Sequence, residues 1–248
     1  MIGLEDENRS QKHVKFQISK NFDQKTLKEI FIKNGHVRIN SFLEEVSAKS
    51  LAHHIQYRND WKKIINSDDK IFEIDQITLN SMSNDQRTSL EKAVHESARF
   101  GFQFCYSAIR SPETKEVDTP GDLLKSFVQF MASPEVIDLV RNITDQHAIN
   151  FADGQATRYE SGDFLTAHDD AVTGKNRHAA YVFGLTRDWR NEWGGLLLLH
   201  GNDSSFSGEA PRFNSLDLFR VPSVHSVTYV TPFAAHARTS VTGWFRTQ

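Results

Sequence analysis

The 248-residue sequence has one cysteine, Cys105, which excludes an internal disulfide, a four-cysteine zinc site and a Cys-x-x-Cys redox pair. Basic charge is not in excess, with 29 Lys and Arg against 32 Asp and Glu. Nucleic-acid binding, which needs clustered cations to neutralise phosphates, is therefore not expected. No apolar run approaches the ~20 residues needed to cross a bilayer, and residues 1–8 lack the basic flank and apolar stretch of a signal peptide. The expectation is a protein that makes no membrane contact and works in a reducing, cytoplasmic compartment. The sequons at Asn142-Ile143-Thr144 and Asn202-Asp203-Ser204 are then coincidental. No linker rich in Pro, Gly or Ser divides the chain, no internal repeat is present, and 38% hydrophobic residues suffice for a core.

What is present changes in texture along the chain. Residues 1–13 are polar without periodicity and read as a flexible tail. Residues 14–148 read as a mainly helical support region. Ser41-Phe42-Leu43-Glu44 has the form of a capping box opening an amphipathic stretch toward Tyr57, and residues 83–105 place Leu90, Val94, Ala98, Gly101 and Cys105 on one helical stripe. Thr119-Pro120 and Ser133-Pro134 each set an N-cap before a proline and predict two further helices. Short strands are expected at 36–39 and 70–74. Residues 149–248 differ: short apolar runs at 180–185, 196–199, 215–219, 226–230 and 239–245 alternate with Gly-, Asn-, Asp- and Pro-rich loops, the pattern of a sandwich or barrel. One compact domain is expected, with N-terminal helices covering a C-terminal β-core.

The most informative segment is Arg158-Tyr159-Glu160-Ser161-Gly162-Asp163-Phe164-Leu165-Thr166-Ala167-His168-Asp169-Asp170. Within it, His168 and Asp170 stand two apart, so they leave a strand end on the same side and can reach one metal ion. Such a triplet alone is more often a polar surface turn. A third group lies near the end of the chain, His225…Arg238…Gly243-Trp244-Phe245. One imidazole from there would complete a two-His-one-carboxylate triad, which holds non-haem Fe(II) and leaves positions open for reactants. His225 and His236 compete for that place. His225 is favoured, because His236 lies in the apparent loop Pro232-Phe233-Ala234-Ala235-His236, whereas a ligand should come from a strand beside that of His168. Period-2 alternation puts Arg238, Ser240, Thr242 and Trp244 on one face. An inward-facing arginine is costly unless a carboxylate meets it, and a dicarboxylate cosubstrate would supply one.

These residues, in this order over 155–245, resemble the 2-oxoglutarate- and Fe(II)-dependent oxygenases, specifically their prolyl 4-hydroxylase-like branch. The ordered elements are Tyr159…His168-x-Asp170, the strand from Tyr181 to Leu185, Gly194-Gly195-x-Leu197, Asn214-x-Leu216-x-Leu218-Phe219 and the closing His225…Arg238…Gly243-Trp244-Phe245. The resemblance implies an α+β, mainly β fold: a double-stranded β-helix, that is, a cupin-like jelly-roll core with N-terminal supporting helices. It implies that His168, Asp170 and His225 hold Fe(II) and that Arg238 pairs with the distal carboxylate of 2-oxoglutarate. It further implies Tyr159 beside that cosubstrate and Thr242 and Trp244 beside the site. O₂ is the co-reactant, ascorbate is an optional addition, and succinate and CO₂ are the co-products. Related halogenases lack the carboxylate ligand, so Asp170 implies hydroxylation. Where some relatives carry a second cosubstrate-binding tyrosine this chain has Gly184, with Tyr181 or Thr186 as substitutes. A prolyl residue of a protein or peptide is the implied substrate, with a free amino acid or other small molecule as the alternative. A non-catalytic cupin-like binding protein and a zinc isomerase or hydrolase on a similar barrel are the competing classes. Arg177, Arg187 and Arg190 read as solvated, and Cys105 reads as a small buried hydrophobe.

Overall fold

The computed structural model describes residues 14–111 and 121–248. The expected tail and the Thr119-Pro120 cap lie outside these residues. In chain order the elements are α1 (Gln24–Asn34), β1 (His36–Asn40), α2 (Glu45–Gln56), β2 (Lys62–Ser67), β3 (Lys70–Asp75), α3 (Gln76–Ser81), α4 (Asn84–Ala98), β4 (Phe104–Arg110), α5 (Leu123–Met131) and α6 (Pro134–Thr144). They continue with β5 (Phe151–Ala152), β6 (Gln155–Tyr159), β7 (Phe164–His168), β8 (Arg177–Gly184), β9 (Leu197–His200), β10 (Phe206–Glu209), β11 (Ser215–Arg220), β12 (His225–Val227) and β13 (Arg238–Arg246). Among the described residues, no helix is long and apolar enough to cross a membrane.

Among the described residues, all thirteen strands join one curled antiparallel sheet in the order β1-β11-β8-β13-β6-β4-β7-β12-β9-β10, with β2 attached to β4, β3 to β2, and β5 to β13. The corner is β4. Its C-terminal part from Ser107 to Arg110 pairs with β6, while Phe104 and Cys105 pair with β7. One strand thus belongs to both arms of the jelly roll and folds them over a shared interior. Alternation along β8 shows how the two faces are used. Ala179, Tyr181 and Phe183 join the large core with Phe31, Leu51, Phe127 and Val140 of the covering helices. Ala180 and Val182 point the other way, into the barrel, with Leu197, Leu199, Phe219 and Trp244. The helices are needed because they bury the outer apolar face that a lone half-barrel would expose.

The helix expected behind Ser133-Pro134 is present: Ser133 caps α6 with Pro134 in its first turn. α1, which the sequence reading did not single out, stops at Gly35, where φ is 75° and the amide donates to the Phe31 carbonyl. Two expectations are corrected. Ser41 forms no capping box: it sits at φ 52° in the turn after β1, and α2 begins four residues later behind Glu44 without a side-chain cap. The helix expected over 83–105 ends at Ala98, and Cys105 lies in β4. A short apolar run such as Phe104-Cys105-Tyr106-Ser107-Ala108-Ile109 suits a buried helix or a buried strand equally well. Its partner in β6 is distant in sequence, so pairing was invisible locally.

Candidate metal centre

His168 is the last residue of β7 and His225 the first of β12, and antiparallel pairing sets them directly opposite each other. Their ring centroids are 4.1 Å apart. Asp170 follows beyond the strand at φ 62°, in the left-handed region, which turns its carboxylate back between the rings. Its Oδ1 lies 3.4 Å from His168 Nε2 and its Oδ2 3.4 Å from His225 Nε2. Among the described residues, these three alone form a cluster able to hold a metal ion, with ligand atoms within 4.8 Å of one another.

The far sides of the two imidazoles determine what faces inward. His168 Nδ1 lies 3.1 Å from the Thr166 carbonyl and His225 Nδ1 2.8 Å from the Ser223 carbonyl. A carbonyl can only accept, so each Nδ1 carries the hydrogen and each Nε2 presents a lone pair. Burial, reinforced by the neighbouring His168, lowers the His225 pKa and favours the neutral ring. For Asp170, burial opposes ionisation, but when the histidines are protonated the His168 hydrogen bond and the charges of both rings outweigh it and hold the carboxyl below its usual range, so it is already a carboxylate when the rings become neutral. Two imidazole lone pairs and a carboxylate therefore converge with no donor among them, which is the requirement for a divalent cation.

Arg238 opens β13 opposite Tyr159 of β6, its guanidinium carbon 5.0 Å from the centroid of the tyrosine ring. It is 4% exposed, its Nη1 is buried without a hydrogen-bond partner, and burial depresses its pKa. A buried guanidinium left so is expensive unless an anion completes it. Gly195, at φ 61°, passes close over it, since a Cβ there would lie 3.3 Å from Arg238 Cδ. A cavity of about 780 Å³ is lined by His168, Asp170, His225, Tyr159 and Arg238, and also by Thr242 and Trp244. Leu197, Phe219 and Val227 form apolar wall between these polar groups.

The other sequence candidates fall elsewhere. Although part of Tyr181 reaches the cavity lining, it belongs to the helix-facing row of β8, packs on Phe245 at 5.3 Å and donates its hydroxyl to the Asp153 carbonyl. Thr186 is engaged with the backbone of Thr239 on both sides of its hydroxyl. Gly184 has a packing reason: a Cβ there would stand 2.0 Å from the Arg212 carbonyl oxygen. Gly184→Ala is accordingly expected to cost about 2–3 kcal/mol, seen as a lower urea midpoint at unchanged slope. His236 contacts the Arg187 carbonyl between the Trp189 and Trp193 rings, outside the cluster.

Sequence reasoning missed Tyr106, which lines the cavity and stacks on Tyr159 with centroids 5.3 Å apart. Its alternating position in β4 was the available signal, obscured by the helix expectation. Arg177 was also missed: far from solvated, its side chain is 15% exposed and also lines the cavity. Arg187 stacks on Phe213, and both it and Arg190 are exposed. Cys105 sits against the buried Asp163, which also receives Lys63 Nζ at 2.7 Å, and burial pushes its thiol up to about 12. Such a thiol is inert. Asp163 itself ties the turn between β6 and β7 by accepting from the Glu160 amide.

Residues 154–246 match the sequence model of the 2OG-Fe(II) oxygenase superfamily. No curated protein matches the chain in sequence. In structure it is similar to a prolyl 4-hydroxylase from Pseudomonas putida, with 16% identity and a TM-score of 0.55 over 91% of this chain and all of that one. It is also similar to a Trichoplax adhaerens prolyl hydroxylase in complex with a peptide fragment of the hypoxia inducible factor oxygen degradation domain, with 17% identity and a TM-score of 0.60 over 90% of this chain and 88% of that one. A third relative is an oxidoreductase of the 2OG-Fe(II) oxygenase family from Burkholderia pseudomallei, with 13% identity and a TM-score of 0.59 over 93% of each chain. The family implies Fe(II), 2-oxoglutarate and O₂, and the convergent donors and the unsatisfied Arg238 fit that set. The region that carries this site, residues 154–246, is thus similar in sequence to the 2OG-Fe(II) oxygenase superfamily, and the chain has the jelly-roll fold of the prolyl hydroxylases.

Proposed function

We propose that the protein hydroxylates an unactivated C–H bond, most favourably of a prolyl residue in a protein or peptide, with His168, Asp170 and His225 as the iron ligands and Arg238 as the anchor of the distal carboxylate of 2-oxoglutarate. The observation that carries this reading is the buried, unsatisfied Arg238 sharing one cavity with the three convergent ligands. When bound, iron with 2-oxoglutarate and O₂ supplies oxidative decarboxylation, yielding succinate and CO₂ and delivering one oxygen atom to the substrate. The chain's own residues do the rest. Nδ1–H bonds to carbonyls hold the two imidazoles in the ligating tautomer. Arg238 neutralises the incoming carboxylate, Tyr159 and Thr242 border it, and Leu197, Phe219 and Val227 exclude water.

A peptide is favoured by the mouth. Ile71 of the β2–β3 hairpin, Phe102 and Val172 line the cavity yet are 58%, 49% and 51% exposed. Three apolar side chains from separate segments at an open edge suit an extended chain better than an enclosed metabolite. The Trichoplax relative, which was solved with a peptide, adds support at the level of fold. The helical region 14–148 and the core 149–248 act as one unit in this reading, since β1 and β4 are paired within the catalytic sheet. A cytoplasmic, reducing setting would keep ferrous iron available. A non-catalytic barrel predicts a displaced ligand or arginine, against the arrangement of His168, Asp170, His225 and Arg238 around one cavity.

The test is succinate release from the full chain with Fe(II), 2-oxoglutarate and O₂, against proline-containing peptides and, separately, free amino acids. Peptide-stimulated succinate with a 16-Da gain on the peptide is expected. Stimulation by free amino acids alone would transfer the reading to the small-molecule alternative, and no succinate together with no iron binding would overturn it.

A further inference from the structure

Asp170 is the one proposed ligand outside a strand. His168 and His225 are fixed by β7 and β12, whereas Asp170 stands just beyond β7 at φ 62°. Aspartate enters that region more readily than most side chains, but the conformation is still strained and persists where its surroundings hold it. The iron reading leaves open what supplies that hold.

Arg177, the first residue of β8, meets the requirement from two directions. Its Nη1 donates to the Asp170 carbonyl at 3.1 Å and lies 3.8 Å from the Asp170 carboxylate Oδ1. Its guanidinium carbon stands 3.6 Å from the centroid of the Trp244 ring. Trp244 is on β13, which pairs with β8. A steering arginine would extend into solvent, but this one lies flat between an aromatic face and the turn that carries Asp170. The planar guanidinium is suited to both tasks at once, stacking by its face and donating by its edge.

We propose that Arg177, seated on Trp244, is the positioning residue of the carboxylate ligand: it holds the left-handed turn at Asp170 and so sets the affinity of the site for a divalent metal. This rests on the iron reading of His168, Asp170 and His225. Trp244, which that reading only places beside the site, becomes the platform of the clamp.

The test uses Mn(II) alone with the full chain, without 2-oxoglutarate or substrate, its free concentration read by EPR. Arg177→Ala is expected to weaken Mn(II) binding by about 10–100-fold, the range for residues that orient metal ligands. Arg177→Lys keeps the charge but loses the stacked fork and should fall between. Trp244→Ala should weaken binding like Arg177→Ala, and the double variant should be little worse than either single one. The Co(II) visible spectrum should shift in the same variants, which a purely structural role would leave unchanged. Should Arg177→Ala fail to fold, Arg177→Lys and Trp244→Ala decide. If Asp170→Ala and His225→Ala retain Mn(II), the iron reading itself is wrong. If those two lose it while Arg177→Ala or, failing that, Arg177→Lys binds within twofold of the parent, only the present inference is overturned, whatever happens to the substrate KM.

Discussion

His225→Ala is expected to abolish metal binding and to lower peptide-stimulated succinate release by roughly a thousandfold or more, equivalent to about 4 kcal/mol in the activation barrier. The effect is large because His225 is not a replaceable contributor. It is 5% exposed, faces His168 directly across β7 and β12, and has its tautomer set by the Ser223 carbonyl. Among the described residues no spare imidazole stands beside His168 to replace it: His200 is engaged with the Ser226 hydroxyl. The matched control is His236→Ala. That ring sits among Trp189 and Trp193 and contacts the Arg187 carbonyl, so its removal leaves Mn(II) affinity unchanged. Loss of binding in the His236 variant with retention in the His225 variant would reverse the ligand assignment.

The second large effect separates the cosubstrate from the metal. Arg238→Ala should raise the Kd for 2-oxoglutarate at least a hundredfold, about 2.7 kcal/mol, while Mn(II) binding stays near the parent value. Arg238→Lys should recover only part, since an ammonium cannot form the paired contacts of a guanidinium with a carboxylate. Stability offers an independent check. Because Nη1 is buried without a hydrogen-bond partner and burial depresses the pKa of the group, the alanine variant removes a poorly solvated charge. The variant without ligands should therefore be no less stable than the parent, yet show none of the thermal shift that saturating 2-oxoglutarate gives the parent. A zinc isomerase or hydrolase on the same barrel would have no use for Arg238, so retained turnover in Arg238→Ala would favour that class.

The site was more legible than the scaffold, for a physical reason. His168 and Asp170 are two apart, and Arg238 and Trp244 share a period-2 face, so their grouping follows from local backbone geometry. The arrangement of Arg38 is different: it binds Asp217 bidentately across β1 and β11, and nothing in its local sequence announces this partner. Tyr106 went unassigned because the expected helix ran up to Cys105 and six apolar or small residues in a row have no distinctive period. Only pairing with β6 and β7 makes that run a strand. Arg177 looked like a solvated loop residue because its partners, Trp244 and Asp170, are brought to it from β13 and from the turn after β7.

The sequence by itself determined the chemistry: a donor set without thiolate, an inward-facing arginine, and strands short enough to close a barrel. These follow from residue type and short-range spacing, which are local properties. The tertiary structure decided which histidine faces which, that Arg238 Nη1 is buried without a hydrogen-bond partner, and why Gly184 can bear no side chain. It also decided that an arginine at the mouth lies across a tryptophan instead of in water. Each of these depends on contacts between strands far apart in sequence, where register and burial, not composition, set the outcome.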